Sequence, residues 1–249
     1  MLGMILWKDH RRGKRAVTIG ERCVLHVRFA CAEIERGERT PVAVLRRRVR
    51  SAMRRLEKLG VTEMVLPENF EISNVWEEVG IRPVSTLALR RAIAADWVRL
   101  ALEEQGITGT SVRIAVAAEE MNGELVQAVT ELSLRYRYVL LDLPRGGEEL
   151  TRHLRREYGI SLLLSPSQEQ VAGAEAVVLF SPKQAWNEKN PVVLRLFDEQ
   201  VPLPGLALPL AIEEQLPDGL NRGQLLAALR QTGTLRPGQI TVERVHKHD

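Results

Sequence analysis

The residues best placed to do chemistry lie where an apolar run, Val112–Ala117, gives way to Ala118-Glu119-Glu120-Met121-Asn122-Gly123. A strand that turns into a helix presents backbone N–H groups to an anion, and glycines there let a phosphate approach the chain closely. This loop offers Ala117 and Ala118 at the approach, then Glu119, Glu120 and Glu124. Like charges about 4 Å apart repel by about 4 kcal/mol at an effective dielectric of about 20, against the ~0.3–1 kcal/mol that a helix dipole gives a surface charge. Ala118, Glu119, Asn122 and Gly123 are thus candidates for holding a ligand at a helix start, with an ordinary pyrophosphate disfavoured.

Asp142 closes the next apolar run, 24 positions after Ala118 and near the spacing of about twenty at which an acid meets a ribose hydroxyl. Arg145, just past Pro144, would suit a 2′-phosphate, which makes NADP the leading cofactor candidate. A plain turn, Pro144-Arg145-Gly146-Gly147, with Glu148 and Glu149 complementing the helix that follows, accounts for the same residues. Ser181 opens a polar segment ending in Trp186, which either borders a pocket beyond the strand ends or packs on the C-terminal region.

A second constellation is cationic. Over Pro41–Leu59 the chain carries Arg46, Arg47, Arg48, Arg50, Arg54, Arg55 and Lys58 against one acid, Glu57. Several cations on one rigid element sum their fields, so Arg47, Arg50 and Arg54 are candidates for binding a nucleic acid or an acidic protein. A solvated helix face with its charges paired elsewhere explains the pattern equally. Lys8–Arg15 and Arg90-Arg91 would enlarge such a patch. His246 and His248 alternate on a terminal strand, but chain-end histidines without Cys/His partner spacing are poor metal ligands, and no metal is expected. No Gly-x-Ser-x-Gly elbow, Walker loop or His-Glu-x-x-His pair occurs.

These residues need a frame, and the composition supplies one. A chain of 249 residues with 45% hydrophobic content buries an ample core, which excludes disorder. The charge excess is only +3 among 27% charged residues, and aromatics at 4% are too few for stacking single-stranded bases. Cys23 and Cys31 fall on one extended stretch, roughly 26 Å apart at ~3.3 Å per residue, and cannot pair unless the chain folds back between them. Two unpaired thiols suit a reducing compartment, so a cytoplasmic protein is expected. The apolar start, Met1–Trp7, precedes its basic cluster where a signal peptide would carry positive charge ahead, so a strand is expected there; the longest uncharged stretch, near Gln200–Ile212, is broken by three prolines, so no membrane contact is expected.

Hydrophobic periodicity predicts the elements. Gly3–Trp7 reads as a strand and Ala16–Ala30 as an extended period-2 run, together a small antiparallel unit. Thr40-Pro41 caps a helix that Gly60 stops, Val61–Leu66 follows as a strand, and Ser85–Gln105 reads as one long helix closed by Gly106. Strand Val112–Ala117, helix Gly123–Arg135, strand Tyr138–Leu143, helix Gly147–Tyr158 and strand Ile160–Leu164 lead to strand Ala176–Phe180. Five candidate parallel strands between Val61 and Phe180 predict an open sheet covered on both faces. Pro191–Phe197 could add a strand, Asn221–Gln231 a helix and Ile240–Val245 a terminal strand. The expected domains are an N-terminal β unit over 1–40, an α/β core over 41–190 and a C-terminal extension over 191–249 packing on that core.

Two segments carry a resemblance: Glu120-Met121-Asn122-Gly123-Glu124-Leu125-Val126 is similar to a helix start, and Ala174-Glu175-Ala176-Val177-Val178-Leu179-Phe180-Ser181-Pro182 to a closing strand. Val112–Pro182 resembles the Rossmann-type nucleotide-binding domain of the glutamyl-tRNA reductase and shikimate dehydrogenase kind. The resemblance implies a Rossmann-like, mainly parallel sheet with helices on both faces and an NAD(P)-type ligand. The glycines of that family's loop are absent here. A binding or regulatory module, or a dehydrogenase relative without hydride transfer, is therefore the leading expectation for this chain. An enzyme using NADP or S-adenosylmethionine, and a binder of nucleic acid or an acidic partner, stand as alternatives.

Overall fold

The computed structural model describes residues 1–9, 16–37, 39–72, 75–76, 79–182, 186 and 189–244. Arg11, Arg12, Lys14 and Arg15 of the basic cluster, and His246 and His248, lie outside the described residues. The chain divides into two compact units, Met1–Thr86 with Leu208–Gln239, and Leu87–Ala207 with the residues from Ile240 onward.

The first unit opens with β1 (Leu2–Lys8), β2 (Val17–Val24), β3 (Val27–Glu35), α1 (Val42–Lys58), β4 (Glu63–Val65) and β5 (Arg82–Pro83). They form a sheet in the order β2-β3-β1-β4-β5, in which only β2 runs antiparallel to its neighbour. The antiparallel pair expected near the N-terminus is thus β2 and β3, at the edge of a larger and mainly parallel sheet. Met4, Ile5 and Leu6 are buried in succession, the run that a strand flanked on both sides requires. The strand predicted at Val61–Leu66 belongs here: β4 pairs with β1 from Leu2↔Glu63 to Met4↔Val65. α1 covers the sheet with Leu45, Val49, Ala52, Met53 and Leu56, which join Ile5, Ala32, Ile34 and Met64 in one cluster. Its end is the predicted one, with Gly60 at φ +80°. Its start differs by one residue: Pro41 is the cap, and the Thr40 hydroxyl accepts from the Gly37 N–H at 2.9 Å.

Ala16–Ala30 does not run on as one strand. Leu25 and His26 take φ of 48° and 71°, and the chain folds back through this two-residue turn. His26 is consequently an exposed turn residue, not a strand residue. The fold-back still leaves the cysteines unpaired, because Cys23 faces Arg28 and Cys31 faces Gly20 across the ladder, and both thiols are free.

The chain continues with α2 (Leu87–Ala92), α3 (Ala94–Glu104), β6 (Arg113–Ala117), α4 (Gly123–Arg135), β7 (Tyr138–Asp142), α5 (Gly147–Tyr158), β8 (Leu163–Leu164) and α6 (Gln168–Ala172). β9 (Ala176–Leu179), β10 (Val192–Arg195) and β11 (Gly205–Ala207) follow, then α7 (Leu210–Glu213), α8 (Arg222–Gln231) and β12 (Thr241–Glu243), α7 and α8 belonging to the first unit. The second unit's sheet is parallel throughout, in the order β8-β7-β6-β9-β10, which is the 3-2-1-4-5 order of a Rossmann-like sheet. Its fifth strand is β10, where the sequence counted Val61–Leu66. The long helix expected over Ser85–Gln105 is broken at Ile93, whose φ of −95° and ψ of 6° leave the helical region. β11 and β12 form a separate antiparallel pair. Among the described residues no helix is long and apolar enough to cross a membrane.

Candidate functional site

In the second unit, Ala117 stands level with Asp142 on one side and with Leu179 on the other. Ala118, Asp142 and Ser181 therefore emerge at one edge of the sheet, next to the switch point between β6 and β9 where open α/β sheets take ligands. The strand ends are stitched together there. The Ala118 N–H donates to the Asp142 carbonyl at 3.1 Å, and the Phe180 N–H to the Ala117 carbonyl at 2.9 Å. Ala118 is buried and its amide is spent on the sheet, so it has no N–H to offer a phosphate.

Asn122 is the cap of α4: its Oδ1 accepts from the Leu125 N–H at 2.8 Å. That contact uses one of the donors an anion would need at this helix start. Gly123 has open space where a Cβ would stand and no left-handed φ, so nothing local demands glycine. Glu119 and Glu120 are exposed, while Glu124 pairs with Arg91 at 3.2 Å. Arg145 is exposed beyond β7 and Asp142 is half-buried.

The contact that the sequence does not announce is Met121 against Gly146. Gly146 is the left-handed cap of α5 at φ +86°, and a Cβ added there would lie 2.9 Å from Met121 Cε. The β6–α4 loop thus leans on the β7–α5 turn, bridging the two loops that a nucleotide would contact. Gly147 has a packing role of its own, since its Cβ would stand 3.2 Å from Leu164 Cδ2. Trp186 is buried among Ala115, Ala117, Val177 and Leu179 and forms core.

On α1, at 100° per residue, Arg47, Arg54 and Lys58 centre on the face opposite the buried stripe, and Arg50 sits half-buried on one flank. Arg48 turns inward, donating to the Glu35 carbonyl at 2.5 Å with its other nitrogen 3.8 Å from the buried Glu35 carboxylate. A groove of about 430 Å³ beside the helix is lined by Arg47, Arg48, Ser51 and Arg55 with Ala16 and Val17. Of the three binding candidates Arg47, Arg50 and Arg54, Arg47 alone is among its lining residues, joined by Arg48 and Arg55 of the same cationic run. Arg90 and Arg91 belong to the second unit and are engaged there. Arg90 is 3% exposed and donates to the carbonyls of Glu199 and Val201, and burial pushes its pKa down. Among the described residues no group of three or more His, Cys, Asp or Glu could hold a metal ion.

No protein-family model matches the chain, and no curated protein does. Among solved structures it is similar to an L-tryptophan dehydrogenase from Nostoc punctiforme, at 11% identity and a TM-score of 0.31 over 61% of this chain and 44% of that one. A quinate dehydrogenase from Corynebacterium glutamicum in complex with NAD is similar at 10% identity and a TM-score of 0.30, over 64% and 65% of the two chains. A shikimate 5-dehydrogenase from Listeria monocytogenes, in complex with shikimate and NAD, matches at 10% identity and a TM-score of 0.30 over 83% and 81%. The chain thus spans less than two thirds of the length of the first two. The Rossmann-like fold rests on the strand order and register above.

Proposed function

We propose that the chain is a ligand-binding or regulatory module that takes a nucleoside-type ligand beyond the ends of β6, β7 and β9 and transfers no hydride. The observation that carries this is Met121 seated on Gly146, with Glu119 and Glu120 exposed beside it, across the approach that a dinucleotide pyrophosphate uses. Asp142 is the candidate for the ribose hydroxyls, Ser181 for the far side of the crevice. A nucleoside with a cationic tail, such as S-adenosylmethionine, meets the opposite electrostatics to NADP, because the two glutamates attract it. A ligand that binds the native state raises the melting temperature by mass action, so a panel of NAD, NADP, S-adenosylmethionine and ATP tests the reading. The expected outcome is a shift with S-adenosylmethionine that Asp142→Asn removes. A shift with NADP lost in Arg145→Ala would replace S-adenosylmethionine with NADP as the ligand and favour the oxidoreductase alternative, and silence across the panel at millimolar concentration would remove every nucleotide reading.

The groove of Arg47, Arg48, Ser51 and Arg55 favours a second reading, a polyanion such as nucleic acid or an acidic protein bound along α1. Binding to duplex DNA or RNA should weaken steeply with salt and weaken further in the Arg47→Glu, Arg50→Glu, Arg54→Glu triple variant. Binding that ignores salt, or none, removes it.

A further inference from the structure

The first unit has a switch point of its own. β1 lies between β3 and β4, so the loops that leave these three parallel strands open on either side of the central one, the arrangement at which open sheets take ligands. A cavity of about 660 Å³ lies there, within the usual range of small-molecule sites, and residues that follow all three strands line it.

Its charges are of both signs. Arg36, half-buried past β3, has its guanidinium 5.3 Å from the centre of the Trp7 ring and donates to the Asn69 carbonyl at 3.2 Å. Trp7 in turn stacks on Phe70, with centroids 5.8 Å apart and the planes 6° from parallel, so the guanidinium rests on a braced platform. Arg36 forms no ion pair among the described residues, whereas its neighbour Lys8 is neutralised by Glu33 at 2.5 Å. Asp9 and Glu71 stand exposed at the rim, with no ion pair among the described residues. The apolar part of the wall is Val42, Leu45 and Ile72, and Val42 keeps 73% of its surface exposed.

A simple anion would meet Arg36 but also two carboxylates. A simple cation would meet the carboxylates but also the Arg36 guanidinium. A zwitterion satisfies both sets, and its apolar portion covers the exposed Val42. We propose that this cavity binds a free α-amino acid with an apolar side chain, its carboxylate on Arg36, its ammonium at Asp9 and Glu71, and its side chain on Val42, Leu45 and Ile72. The site lies wholly in the first unit and does not depend on the nucleoside reading.

The Trp7 indole N–H signal in a nitrogen-15 NMR spectrum, assigned by its loss in Trp7→Phe, reports occupancy directly. The probes are L-leucine and L-phenylalanine, with 4-methylpentanoate and 3-methylbutylamine as the analogues of leucine that keep one charge each. One of the amino acids should move the signal saturably at millimolar concentration. Each single-charge analogue should bind roughly 10-fold more weakly or worse, since it leaves one charged partner unmet. Arg36→Met should weaken the amino acid by a similar factor, and Arg36→Lys, which keeps the charge but loses the fork, by less. No response to either amino acid, an analogue that binds as tightly, or an unchanged response in Arg36→Met overturns the proposal. The analogue comparison uses the unaltered chain and so stands even where a variant fails to fold.

Discussion

Cys31 offers a test of the first unit's register in which the magnitude follows from burial. The thiol is 6% exposed, opposite Gly20 in the ladder, and burial first, then the charge of Glu33, push its pKa from 9.0 to about 11. Above about pH 9 the unfolded chain has lost a proton that the native chain keeps, so the native state binds more protons and stability falls as pH rises. The contribution is fully present below the unfolded value and lost progressively toward the folded one. For a shift of about two units the loss is about 1.4 kcal/mol at about pH 10 and up to about 2.7 kcal/mol beyond the folded pKa. Urea unfolding of the wild-type chain and Cys31→Ala at neutral pH and at about pH 10 isolates this loss as a difference of differences. Tyr136, whose phenol burial also pushes up, titrates in both proteins and cancels. Equal alkaline losses in the two proteins would refute the burial argument, because a thiol at the solvent edge of β3 costs nothing to ionise. The same burial removes Cys31 from any list of nucleophiles, since the thiolate is the reactive species.

Iodoacetamide should add one label to the native chain near neutral pH, at the exposed Cys23, and a second only after unfolding, as read by mass spectrometry. Arg48→Met should cost roughly 2–3 kcal/mol by leaving the buried Glu35 carboxylate without this partner, a little below the ~3–5 kcal/mol of a fully buried pair because Arg48 keeps 21% exposure. Arg47→Ala and Arg54→Ala, on the exposed face of the same helix, should stay within about 0.5 kcal/mol of wild type in the same denaturation assay. Gly146→Ala should cost roughly 1–2 kcal/mol, from a left-handed φ of +86° and displacement of Met121, and Met121→Ala in that background should recover only the second part.

Where the chain carries its own punctuation, the sequence was legible to the residue. Gly123–Arg135 and Gly147–Tyr158 are helices with the predicted ends because Asn122, Gly146 and Gly159 supply caps that few other residues supply as well. The Ser167/Gln170 capping box was equally readable and marks α6 between Leu164 and Ala176, where periodicity predicts no element. The Leu25-His26 turn was not, since two-residue hairpins of this twist usually announce themselves with Asn-Gly. Nor could periodicity decide which sheet Val61–Leu66 joins, because a short apolar strand fits any parallel sheet, and only its register against Leu2–Met4 settles the matter. The Met121–Gly146 contact links two loops 25 residues apart and leaves no pattern in one dimension. The wall of the first-unit cavity is more scattered still, running from Trp7 to Ile72.

That misplaced strand bears on function. Counting Val61–Leu66 with the later strands leaves one sheet and one switch point, and the failed glycine loop then becomes the chief fact about ligand binding. With β4 returned to β1, the chain has two sheets, one mainly and one wholly parallel, each with its earliest strand at a switch point. In the second unit that crevice is bridged by Met121 and faced by exposed acids, which narrows the ligands it can take by charge. In the first unit it opens into a cavity lined by Arg36, which forms no ion pair among the described residues, and by the exposed Val42. Val42 is 73% exposed, so Val42→Thr should leave stability within about 0.5 kcal/mol while weakening amino-acid binding. A variant that binds as well as wild type would remove Val42 from the ligand site.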